Sequence, residues 1–71
     1  MESPLSVVKI IELIGSSEKS WEDAVQEALR EAAKTVENIV GIDVLGCKAK
    51  VKDNKIVKYK ARVRIAFAVE R

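Results

Sequence analysis

Seventy-one residues bound the chain to one small domain, residues 1–71, of a size that buries only roughly 60% of its unfolded surface and leans on disulfides, metals or association of copies. A lone cysteine, Cys47, excludes an internal disulfide, and the absence of histidine leaves poor material for a metal centre, so association is the support that remains. The net charge of +2 hides a division, with nine acids and four bases in residues 1–43 against two acids and nine bases in residues 44–71. Such asymmetry fits an anionic partner, or a self-complementary building block that is acidic on one side and basic on the other.

The N-terminal residues 5–14 are rich in Val, Ile and Leu and are bounded by Pro4 and Gly15, which predicts a strand with apolar residues on both faces. Lys9 and Glu12 interrupt this stretch and no small-residue cleavage site follows, so it does not read as a signal segment. No apolar run is long enough to cross a bilayer, and a cytoplasmic protein is expected.

Gly15, Ser16 and Ser17 read as a break before a helix. Ser20 followed by Asp23 resembles a capping box, with Asp where Glu or Gln is usual, and Glu18, Glu22 and Asp23 place negative charge at the positive end of the helix dipole. Trp21, Ala24, Val25, Ala28, Leu29, Ala32, Ala33 and Val36 then recur at helical spacing as one apolar stripe, whose alanines allow close approach to a sheet. Asn38 or Gly41 is expected to end this element.

Beyond the helix the apolar parity switches, from even positions at Ile42 and Val44 to odd positions at Cys47, Ala49 and Val51. A β-bulge at Leu45 and Gly46 explains the switch. A hairpin turn at Asp53, Asn54 and Lys55 then pairs Lys50 with Lys58 and Lys48 with Lys60. In the last strand Tyr59, Ala61, Val63, Ile65, Phe67 and Val69 alternate with Lys58, Lys60, Arg62 and Arg64, giving a core face and a row of cations. The fold class is α+β, a β-α-β-β order with one amphipathic helix on a three-stranded antiparallel sheet.

Chemistry is sparsely provided. Cys47 has no histidine to activate it and reads as a buried packing residue, and the paired acids Glu27 and Glu31 sit on a solvated helix face without a cleft. No catalytic residue is assigned, and the chain does not read as an enzyme. A basic face with few aromatic residues is poorly equipped to stack bases, so nucleic acid is a minor alternative and a membrane is not a partner. Trp21 reads as packing.

The segments Val8 to Ser17, Ser20-Trp21-Glu22-Asp23-Ala24 and Tyr59 to Phe67 resemble the dodecin family over nearly the whole chain. The resemblance implies a homododecamer with 23 symmetry, a hollow shell with helices outward and sheets inward. It also implies storage of flavins such as FMN or riboflavin at pockets between subunits, where a tryptophan after the helix and a glutamine on the last strand sandwich the ring. This chain carries Gly41 and Lys60 at those two places, with Tyr59 beside the second, so the resemblance implies weakened flavin affinity. The alternative it leaves open is a flavin-incompetent assembly with an ion-binding or scaffolding role.

Overall fold

A computed structural model describes residues 7–69. Strand β1 (Val7–Ser17) leads to helix α1 (Trp21–Ala33), then to β2 (Ile39–Lys52) and β3 (Lys55–Val69). The three strands form one antiparallel sheet in the order β1-β3-β2, so the C-terminal strand is the central one. No helix among the described residues is long and apolar enough to cross a membrane.

The strongest departure from the sequence reading is at Gly15, which lies inside β1 and pairs with Ala61 instead of ending the strand. A Cβ there would stand 2.0 Å from the Ala24 carbonyl oxygen, so the glycine is required by contact between helix and sheet, not by a turn. The break comes after Ser17. Leu5 and Ser6, at the start of the expected strand, lie outside the described residues.

Ser20 caps α1 as expected, its side chain accepting from the Asp23 amide at 2.9 Å. Asp23 does not complete the reciprocal box. Its carboxylate instead accepts from the Ser17 hydroxyl at 2.6 Å, while that hydroxyl accepts from the Lys19 amide at 2.9 Å. Asp is one methylene shorter than Glu, and the buried serine at the end of β1 is within its reach. The helix stops at Ala33, earlier than the apolar stripe suggested; the Val36 amide still bonds to the Ala32 carbonyl, and the reversal falls at Asn38, which takes a left-handed φ of 63°. Ala33 is exposed, and Gly41 is part of β2 with ordinary backbone angles.

The core is thin. Ala24, Ala28 and Ala32 of the helix meet Ala61, Val63 and Ile65 of the central strand, flanked by half-buried Ile11, Leu13, Val25, Leu29 and Ile39. Alanine at three successive turns lets α1 sit low on the sheet, as its stripe predicted. The expected bulge is present between Val44 and Gly46, and the hairpin register places Lys48 against Lys60 and Lys50 against Lys58. Beyond Tyr59 and Ala49 the hairpin projects past the start of the helix as a two-stranded arm, turning at Asp53 and Asn54 with φ of 53° and 62°.

Cys47 corrects the expectation of a buried packing residue. It is on the helix side by parity, opposite Ala61, but it sits on the edge strand β2, which α1 touches only marginally, and it is exposed.

Candidate functional site

The sheet face turned away from α1 has no cover among the described residues, and its cross-strand register sorts it into three zones. At one end Ile10, Ala66 and Gly41 align, next to the pair Val8 and Ala68; Val8 and Ile10 are 54% and 59% exposed. In the middle Glu12 faces Arg64, which faces Asp43, and Ile14 faces Arg62. The far zone begins with Ser16, Lys60 and Lys48 in one row and continues onto the arm as the pairs Lys58 with Lys50 and Lys55 with Lys52.

The middle zone is not the open row of cations that the alternation of β3 implied. Glu12 reaches Arg62 at 3.4 Å and Arg64 at 3.5 Å, so two of the four cations are shared by one carboxylate. The signal was not readable locally, because Glu12 comes from β1, some 50 residues away in sequence. All three side chains are about half exposed, so the attraction is screened by water and salt and is worth at most ~1 kcal/mol in an isolated chain.

Where the middle zone meets the basic one, a hollow of about 560 Å³ is lined by Ile14, Ser16, Cys47, Lys48, Lys60 and Arg62. Its charge-bearing side chains are all cationic. On the opposite face, Trp21 ties the helix start to the root of the arm. Its indole N–H donates to the Lys48 carbonyl at 2.8 Å, and its ring meets Tyr59 edge to face with centroids 4.8 Å apart. Trp21 therefore packs, as expected, although it remains 38% exposed.

One chain does not bring Gly41, Tyr59 and Lys60 together. Gly41 aligns with Ala66, six residues along β3 from Lys60, a separation of roughly 20 Å at the rise of a strand. Tyr59 is on the helix side, opposite Ser17 and Ala49, and engages Trp21. The space beside Gly41 is empty to 4 Å, and no side chain there supplies a stacking surface. The residues present do not form a flavin sandwich within the subunit; any pocket that uses both Gly41 and Lys60 is built from more than one copy. Among the described residues no group of three or more acidic or cysteine side chains is gathered for a metal ion.

Comparison with known proteins gives the lineage. The family model Dodecin matches residues 7–70. Calcium dodecin of Mycobacterium tuberculosis is 32% identical over 63 residues, 89% of each chain. Its crystal structure, described as having a novel calcium-binding site, aligns with a TM-score of 0.79 over 90% of this chain and 91% of its own. Dodecin of Thermus thermophilus is 30% identical over 64 residues, covering 90% of this chain and 93% of its own. Dodecin of Streptomyces coelicolor has a TM-score of 0.91 at 17% identity, over 97% of this chain and 99% of that one, and so shares the fold alone. With its β-α-β-β order and a family match over nearly all of its length, the chain belongs to the dodecin family.

Proposed function

We propose that the protein is a homododecameric shell that holds small anionic ligands at subunit interfaces or in its lumen, with flavins such as FMN or riboflavin as weak ligands. The observation that carries the shell is the imbalance of the core. Among the described residues Val63 and Ile65 are the largest fully buried side chains, while eleven large apolar residues are exposed, among them Val8, Ile10 and Ile14 on the uncovered sheet face. Burying that face against other copies supplies the apolar contact that the single chain lacks. The division of charge supports the orientation, since the acidic helix and the basic sheet face lie on opposite sides.

The ligand reading is supported by the cationic hollow and weakened for flavin by Gly41, which provides no ring to stack on. Binding rather than turnover fits side chains that offer charge and no activated nucleophile. Light scattering tests the shell: twelve chains of 7.9 kDa make a particle of about 95 kDa, whereas a single-chain mass overturns it. FMN titration followed by quenching of flavin fluorescence tests the ligand. Gly41→Trp combined with Lys60→Gln is expected to tighten FMN by roughly 5- to 150-fold, the equivalent of ~1–3 kcal/mol of stacking. Unchanged titrations in a double variant of correct mass would remove the flavin part and leave the shell standing.

A further inference from the structure

The hairpin arm and its root carry a feature that neither oligomerisation nor a flavin ring explains. Lys48 and Lys60, Lys50 and Lys58, and Lys52 and Lys55 form three consecutive cross-strand pairs. Parity places all six on the sheet face turned away from the helix; the irregularity between Lys50 and Val51 keeps Lys55 in phase with the rest. Like charges directly opposite on a sheet repel, and here the repulsion is stacked in three rows about 7 Å apart. Among the described residues none of the six is in ion-pair range of a carboxylate, and Asp53, at the turn, is the one acid within residues 44–69. The contrast with Arg62 and Arg64, which the same sheet face supplies with Glu12, marks the arm as cationic by arrangement.

We infer that this lysine ladder binds a linear chain of condensed phosphate, an inorganic oligo- or polyphosphate, laid along the arm with one end in the hollow between Lys48, Lys60 and Arg62. A track about 14 Å long with cations on both sides matches a flexible ligand that repeats its charge at short intervals. A nucleic acid is disfavoured by the same geometry, because Trp21, Tyr59 and Phe67 are all on the other side of the sheet and no ring on this face can stack a base. The inference deepens the anion-binding part of the proposed function and does not depend on flavin binding.

The test uses the intact protein, with tripolyphosphate and a longer inorganic polyphosphate titrated by calorimetry between 50 and 200 mM salt. Particle mass is measured in parallel, so that failure of the shell and failure of the ladder are read separately. Lys50→Gln with Lys58→Gln is expected to weaken polyphosphate about tenfold and to reduce the log-log salt slope by about 2. Lys52→Gln with Lys55→Gln is expected to do the same, as an independent variant at the tip of the arm. Lys19→Gln with Lys34→Gln removes equal charge elsewhere and is expected to leave binding unchanged. Equal losses in that control, no loss in either ladder variant, or tighter binding of an oligothymidylate than of polyphosphate at matched charge would each overturn the proposal.

Discussion

Gly15→Ala probes the closest approach in the fold. The added methyl would lie 2.0 Å from the Ala24 carbonyl oxygen and 3.0 Å from the Ala28 Cβ, and the first of these is backbone that cannot rotate away. An ordinary carbon–oxygen contact is about 3.4 Å, so helix and strand must separate by roughly 1.4 Å at this point. A gap of that size forfeits half or more of the dispersion contact beneath Ala24 and Ala28, both almost completely buried. Overpacking alone costs about 1–3 kcal/mol, and the loss of helix contact adds to it, so ~3 kcal/mol or more is expected. In a domain this small each kcal/mol moves the melting midpoint by about 4–8 °C. Urea denaturation followed by far-UV circular dichroism, at one fixed chain concentration because association contributes to stability, reads the change. Gly46→Ala is the control: nothing lies within 4 Å of its Cβ position and its φ is not positive, so a change within about 0.5 kcal/mol is expected. A Gly15→Ala protein as stable as its parent, or a Gly46→Ala protein equally damaged, would refute the close-contact argument.

Ser17→Ala is expected to destabilise by about 1–3 kcal/mol in the same assay, since it removes the acceptor of the Lys19 amide and the donor to Asp23 from a buried position. Ser20→Ala, which removes one capping bond, is expected to cost about 1 kcal/mol. Trp21→Phe keeps a ring against Tyr59 but loses the bond to the Lys48 carbonyl; a loss of ~0.5–1.5 kcal/mol is expected, with faster amide hydrogen exchange at the root of the arm. Glu12→Gln frees Arg62 and Arg64. Its cost of at most ~1 kcal/mol at low salt should fade as ionic strength rises, and a salt-independent cost would show the carboxylate to be desolvated by a neighbouring copy.

The parts of the fold that were legible in the sequence are those set by local physics. The alanine stripe, the Ser20 cap, the parity switch at Leu45 and Gly46, and the lysine register across the Asp53 turn each depend on residues close in the chain, where spacing alone specifies geometry. Gly15 was misread because a glycine needed for close approach and a glycine needed for a turn look alike until the partner, Ala24, is known to sit over it. Cys47 was misread because parity gives the side of a sheet but not whether a short helix extends to its edge. Glu12 was missed as the partner of the two arginines because strand order decides it: β3 lies between β1 and β2, and nothing within either arginine's own segment announces that neighbour. Of the candidate ligand residues, Lys60 and its basic surroundings were legible, whereas the separation of Gly41 and Tyr59 from it by distance and by face emerged only with the register.

The projecting arm and the thin core have one physical origin. The Cα radius of gyration is 14.7 Å, against about 11 Å for a compact chain of this length, and the longest axis extends 53 Å. A helix of 13 residues is roughly 20 Å long and cannot cover strands of 14 and 15 residues, so among the described residues no layer covers the outer third of β2 and β3 on either side. On the helix side of that arm Val51 and Ile56 are 60% and 48% exposed, a surface suited to another copy, while the reverse side carries four lysines, joined at the root by Lys48 and Lys60, that no apolar surface would accept. Burial on one side and hydrated or anion-bound charge on the other fixes which way the arm must face when copies meet. An assembly that put the lysines into its contacts would have to desolvate six cations without counterions, whereas one that turns them toward a common interior gathers them where the proposed multivalent anion would meet many chains at once.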